Sequence, residues 1–225
     1  MKVRFLGHSC VEIVGRTHVL IDPDFVREPE PGVEFICITH AHRDHIARVA
    51  EVPTGLVVAS PDVCAIATQL GVAAERLLPV TPGFKAANIE VLPGFSAVGG
   101  FLYTFFSLLF RRRRPDPGGT PLSFLVHDDL SLLHIGDAHD VRLPVHPDIL
   151  CLPWRRAPYQ PEKYKARLIQ LARRIAAPYV LPVHYDLPTT AADPGELRQR
   201  LAATLLEGDR ARAADGRHIE RERLR

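Results

Sequence analysis

Cysteine is scarce in this chain and never paired in sequence. Cys10, Cys37, Cys64 and Cys151 stand far apart with no C-x-x-C among them, which excludes a zinc knuckle and a dithiol redox motif. Scattered thiols in 225 residues fit small buried hydrophobes in a reducing compartment. No apolar run reaches the roughly 18 residues of a spanning helix. Met1-Lys2-Val3-Arg4-Phe5 is soon followed by Glu12 with no small-residue cleavage site, so the N-terminus reads as mature and cytoplasmic. Charge of one sign is missing too. A balance of 28 basic and 26 acidic residues leaves +2, without the field that nucleic-acid recognition uses. No internal repeat, Gly/Ser linker, Ser/His/Asp nucleophile motif or phosphate-cradling glycine loop appears.

What is present is globular. Apolar residues make up 46% and charged residues 24%, too apolar for disorder over most of the length and long enough to bury a sizeable core. Val11–Val14 and Thr17–Ile21 flank Gly15-Arg16, a two-residue hairpin. Val33–Thr39 and Gly55–Ala59 read as buried strands. Ser60-Pro61 opens a helix carrying Val63, Ile66, Ala67 and Leu70, stopped by Gly71. Asn88–Leu92 is a strand, and Ser123–Val126 with Ser131–Ile135 forms a second hairpin. Ile149–Leu152 and Tyr179–Val183 are strands around a helix that starts at Pro161. Asp193-Pro194-Gly195-Glu196 caps a helix carrying Leu197, Leu201 and Leu205. The tail Gly208–Arg225, rich in both charges, is expected to fray or form a solvated helix. This alternation predicts one α/β domain over residues 1–225 with two sheets between helices.

Chemistry concentrates in Thr39-His40-Ala41-His42-Arg43-Asp44-His45, directly after a buried strand. A loop at a strand end points alternate residues at one centre. His40 and His42 are expected to face one way, Asp44 and His45 a second centre. Imidazole and carboxylate suit zinc, iron or manganese. The competing reading is a polar turn with incidental histidines.

H-x-H-x-D-H resembles the signature of the metallo-β-lactamase superfamily, and the chain is most similar to its L-ascorbate-6-phosphate lactonase-like branch. Gly7-His8-Ser9, Leu20-Ile21-Asp22-Pro23, Ile135-Gly136-Asp137 and Pro182-Val183-His184-Tyr185 match that branch's motifs in order, over roughly residues 1 to 186. The resemblance implies a four-layer αββα sandwich with metal at one edge. It implies His40 and His42 at a first metal, Asp44, His45 and His184 at a second, and Asp137 bridging. One or two divalent ions per chain are implied, zinc above manganese or iron. The implied activity is hydrolysis of a small ester, lactone or phosphoester by metal-activated water, with Asp44 also orienting that water. The family places a further histidine where this chain has Ser96, and no histidine lies between His45 and His127. His139 or His8 could substitute, while His127 and His134 read as structural.

Substrate choice is thinly marked. Trp154-Arg155-Arg156 follows a strand where the family has a loop over the active site, and Arg155 and Arg156 could clamp a phosphate or carboxylate. Residues 97–119 read as an insertion, with an apolar run over Ala97–Phe110 ending in Arg111–Arg114. It is expected to cap the active site and admit an apolar substrate, self-associate, or touch a membrane surface through 97–114; the competing reading is a buried core helix. Two other functions are compatible with these residues: a phosphodiesterase on a lipid-like substrate, or a metal-impaired binding or sensor module.

Overall fold

The computed structural model describes residues 1–95, 118–157, 160–201, 204–205, 211–212 and 218–219. Ser96, the 97–114 run and most of the expected insertion lie outside the described residues.

Strands β1 (Lys2–Gly7), β2 (Cys10–Val14) and β3 (His18–Ile21) form an antiparallel meander. β4 (Phe35–Cys37), β5 (Leu56–Ala59) and β6 (Leu77–Pro79) extend it in parallel into a six-stranded sheet. The second sheet has seven strands in chain order. β7 (Lys85–Ala86), β8 (Ile89–Pro93), β9 (Leu122–His127) and β10 (Ser131–His134) are antiparallel. β11 (Ile149–Pro153), β12 (Tyr179–Val183) and β13 (Thr204–Leu205) then run parallel to β10.

Parallel neighbours need crossovers, and these carry the helices. α1 (Arg43–Ile46) lies between β4 and β5, and α2 (Pro61–Gln69) between β5 and β6. α3 (Pro161–Ile175) joins β11 to β12, and α4 (Pro194–Arg200) joins β12 to β13. In α3 the buried Leu168, Leu171, Ala172 and Ile175 recur at helical spacing, and Ala176 ends the helix in the left-handed region.

The period of two along each strand splits the core into layers. Val11, Ile13, Val19 and Ile21 from one sheet meet Phe124, Val126, Ile149, Cys151, Leu181 and Val183 from the other. The alternate residues Leu125, Leu133, Leu150, Leu152 and Val180 face α3 and α4. Leu20, Ile36, Val57 and Ala59 face α1 and α2. The result is the expected αββα sandwich. All four cysteines are buried and free, two of them between the sheets. No helix among the described residues is long and apolar enough to cross a membrane.

Three boundaries differ from the expectations. The strand expected over Val33–Thr39 spans Phe35–Cys37, with backbone bonds to its neighbours continuing at Glu34 and Ile38; it stops before Thr39, whose N–H turns away to the Asp22 carboxylate, 2.7 Å. The helix expected to reach Leu205 ends at Arg200. Leu201 is already extended, and Thr204–Leu205 pairs with the edge of β12 instead. In the tail, β14 (Ala211–Arg212) pairs with β15 (His218–Ile219), so those residues are not helical.

Candidate metal centre

The candidate ligands gather at one edge because parallel strands release their chains there. Asp22 follows β3, His40 to His45 follow β4, Asp137 follows β10, Arg155 follows β11 and His184 follows β12. The carboxyl ends of parallel strands are where such sheets bind ligands.

The chain turns sharply at each release. His8, Asp22 and His184 have φ of 54°, 53° and 65°, a left-handed conformation that strains the backbone of any residue carrying a Cβ. Gly136 has φ 55°, and a Cβ there would lie 2.7 Å from the Thr39 hydroxyl. Glycine is therefore required immediately before Asp137. The turns are tied to one another. The His184 N–H donates to the His8 carbonyl at 2.6 Å, and the His8 N–H donates to the Asp186 carboxylate at 3.0 Å. The Ser9 hydroxyl donates to the Asp44 carbonyl at 2.7 Å.

Two overlapping groups result: His40, His45 and Asp137, and Asp44, His45 and His184. The ligand atoms of each lie within 4.8 Å of one another. Asp137 divides its oxygens between them. Oδ1 lies 3.1 Å from His184 Nε2 and 3.5 Å from His45 Nε2, whereas Oδ2 lies 3.8 Å from His40 Nε2. Asp44 Oδ2 stands 3.7 Å from His184 Nδ1 and 3.9 Å from His45 Nε2. His42 comes within 3.0 Å of His40, Nδ1 to Nε2, but joins neither group.

Behind these residues, Asp22 is fully buried and accepts from the Thr39 N–H (2.7 Å), the Thr39 hydroxyl (2.8 Å) and His45 Nδ1 (2.7 Å). That fixes the His45 ring with Nε2 facing the centre. Burial alone would raise the Asp22 carboxyl, but the His45 charge and hydrogen bond hold it below its ordinary value. Burial works against the His45 cation, yet Asp22 and Asp137 raise it to about 10. Burial, reinforced by the adjacent His45, lowers His40 to about 2, so its imidazole is neutral. Asp137 is held well below its ordinary range. Burial opposes this, and Arg155 and His184 outweigh it.

The pattern fits a cation. His45 Nε2 and His184 Nε2 approach to 3.1 Å, and beside them buried Asp137 Oδ1 makes no well-directed hydrogen bond among the described residues. Two imidazole nitrogens turned to an orphaned carboxylate oxygen need a proton or a metal between them. Neutral nitrogen with carboxylate oxygen suits a borderline divalent ion.

The profile of the beta-lactamase superfamily domain matches residues 2–184, from the first strand through the last candidate ligand. The chain belongs to that superfamily. A UPF0173 metal-dependent hydrolase of Methanospirillum hungatei is 29% identical over 201 residues, covering 83% of each chain. One of Methanoculleus marisnigri is 30% identical, covering 83% of this chain and 81% of its own. Among solved structures, the fold is shared with an isothiocyanate hydrolase from Delia radicum gut bacteria. Its TM-score is 0.62 at 14% identity, covering 88% of this chain and 91% of that one. A possible metal-dependent hydrolase from Veillonella parvula gives 0.64 at 13%, covering 89% and 91%.

The other residues singled out from this superfamily member's sequence separate clearly. Arg155 enters the centre, its Nη2 2.7 Å from Asp137 Oδ2. Arg156 is exposed and donates its backbone N–H to the Thr190 carbonyl at 2.8 Å. His139 packs against the Tyr164 ring at 5.4 Å, and exposed His127 lies 3.3 Å from Glu90. His134 is structural as expected: buried, with Nε2 3.0 Å from the Ser9 carbonyl and Nδ1 accepting from the Gly136 N–H. Sequence reasoning missed the part Asp22 plays. Its signal was the Leu20-Ile21-Asp22-Pro23 motif, which says nothing of His45, 23 residues on.

Proposed function

We propose that this chain is a metal-dependent hydrolase of a small ester, lactone or phosphoester. The reading is carried by the Asp137 oxygen that faces His45 and His184 yet makes no well-directed hydrogen bond among the described residues. In it Asp44, His45, Asp137 and His184 hold the principal ion, with His40 and His42 on the adjoining side. The ion, when bound, supplies Lewis acidity, acidifying water and polarising the oxygen of the scissile group. Zinc is the ion expected from two imidazoles and carboxylates, with manganese or iron as competitors.

The chain's own groups do the rest. Asp22 holds His45 in the tautomer that presents Nε2. Asp44, a quarter exposed while the histidines beside it are buried, stands where the centre meets solvent. Its Oδ2 accepts a hydrogen bond from the attacking water and aims it. Water then adds across the acyl–oxygen or phosphorus–oxygen bond, and the leaving oxygen departs with a proton. This reading takes a small molecule as the partner, and a net charge of only +2 argues against nucleic acid.

Purified protein stripped with a chelator and reloaded with zinc or manganese should be assayed on nitrophenyl esters, lactones and bis-nitrophenyl phosphate. Metal-dependent turnover of at least one class is expected, lowered about 10²-fold or more in kcat by Asp44→Asn. Binding of metal with no turnover of any class would instead mark a sensor or binding module.

A further inference from the structure

We propose that the Arg155 guanidinium takes the place of the first metal ion, so that this chain binds one divalent cation, at the Asp44–His45–Asp137–His184 side. The proposal rests on the metal centre described above and concerns what occupies its other half.

The two oxygens of Asp137 carry the argument. Oδ1 faces His45 and His184 and, among the described residues, makes no well-directed hydrogen bond, as a metal ligand would. Oδ2 faces His40, on the side expected to hold the first ion, and it is already engaged by Arg155 Nη2 at 2.7 Å. A guanidinium cannot yield by losing its proton. A dication on Oδ2 would meet a fixed positive charge on the same oxygen.

Arg155 is held there from both sides. Buried Trp154 donates Nε1–H to the Asp193 carbonyl at 2.8 Å, and its backbone N–H donates to the Val183 carbonyl at 2.9 Å. The Arg156 N–H is bonded to Thr190. The Arg155 side chain is 22% exposed and borders the Tyr164 phenol of α3. The remaining donors on this side are few. His40 groups with Asp137 only by sharing His45 with the other side. It turns to His42, Nε2 to Nδ1 at 3.0 Å, and His42 joins no three-residue group among the described residues. No histidine between residues 46 and 126 can complete the set.

The consequence is an arginine that is neither a surface charge nor a loose substrate clamp. It neutralises half of Asp137 and leaves the other half to the ion.

The test is zinc stoichiometry. Full-length wild type, Arg155→Met and Arg155→Lys are stripped, incubated with excess zinc chloride, desalted and measured by elemental analysis, with circular dichroism as the check on folding. One zinc per chain is expected for wild type and for Arg155→Lys, and a rise towards two for Arg155→Met. Two zinc ions in wild type would overturn the proposal, whether or not either variant folds. So would a folded Arg155→Met that stays at one, or an Arg155→Lys that rises to two. No zinc in wild type would remove the metal centre itself, and the proposal with it.

Discussion

Asp22→Asn tests how the centre is built, because it changes one atom of a fully buried carboxylate and leaves every ligand in place. Asp22 Oδ1 receives the Thr39 N–H, and Oδ2 receives the Thr39 hydroxyl and His45 Nδ1. Asparagine keeps one acceptor. Its amide oxygen is best used on the Thr39 backbone N–H, since nothing else replaces that partner. The amide NH2 then faces His45, which must accept at Nδ1 and carry its proton on Nε2. That is the nitrogen 3.1 Å from His184 Nε2 and 3.5 Å from Asp137 Oδ1. A metal can bind only after the tautomer is forced back. Loss of such a supporting carboxylate typically lowers metal affinity about 10- to 100-fold, or about 1.4 to 2.7 kcal/mol. The upper end applies here, because three hydrogen bonds of 2.7 to 2.8 Å converge on Asp22. The metal-free fold should lose about 1–3 kcal/mol from the broken charged hydrogen bond. At about 2–4 °C per kcal/mol for a chain of this size, the midpoint falls by several degrees. Zinc affinity is read by competition with a chromogenic chelator, and folding by thermal denaturation. A folded Asp22→Asn that binds zinc within threefold of wild type would refute the tautomer argument.

Further outcomes follow from the same geometry. His184→Ala should lose most of its bound zinc and His40→Ala should retain more, by elemental analysis; equal loss would contradict the asymmetry between the two sides of Asp137. Zinc affinity should rise by about tenfold per pH unit between about pH 7 and 10, because the ion displaces one proton from His45, held at about 10 in the metal-free protein; a flat profile would count against it. The same shift stabilises the metal-free fold fully below the ordinary histidine value of 6.5, and that contribution disappears as pH rises through about 10. Asp22 and Asp137 act in the opposite direction, since both are lowered from 3.8. Their contribution is present above that value and lost as pH falls below it, so a metal-free protein with undiminished stability at pH 3 would be at odds with them. Gly136→Ala should cost about 1–3 kcal/mol, from φ 55° and a 2.7 Å approach to the Thr39 hydroxyl, and should weaken zinc binding by displacing Asp137; a wild-type melting temperature would show that the turn relaxes freely.

Much of this was legible in the sequence, for reasons that are local. His40, His42, Asp44 and His45 lie in one short loop, so strand end and donor types can be read together. The layers follow from period two in β9, β11 and β12, where alternate side chains belong to different cores. What was not legible depends on partners distant in sequence. β6 and β7 are short edge strands whose form comes from β5 and β8 rather than from their own pattern. Leu205 fits the helical spacing of Leu197 and Leu201, yet the open edge of β12 takes it as a strand. Arg155 was readable as a cation near the site, but only the fold shows that it reaches Asp137, 18 residues earlier, rather than open solvent. Asp22 is hidden for the same reason.

The centre draws on both halves of the sandwich. Asp22, His40, Asp44 and His45 come from the edge of the first sheet, Asp137 and His184 from the second. An ion shared among them is a rivet through the molecule. It can be captured only after residue 184 has been made and both sheets have closed, so loading comes at the end of folding and cannot guide its early steps. Once seated, it binds the closed form alone. At a free concentration of 100 times Kd it would add about 2.7 kcal/mol to the whole fold. Chelation should therefore be felt far from the edge, as faster proteolysis across both sheets and a lower unfolding temperature, rather than as fraying of one loop.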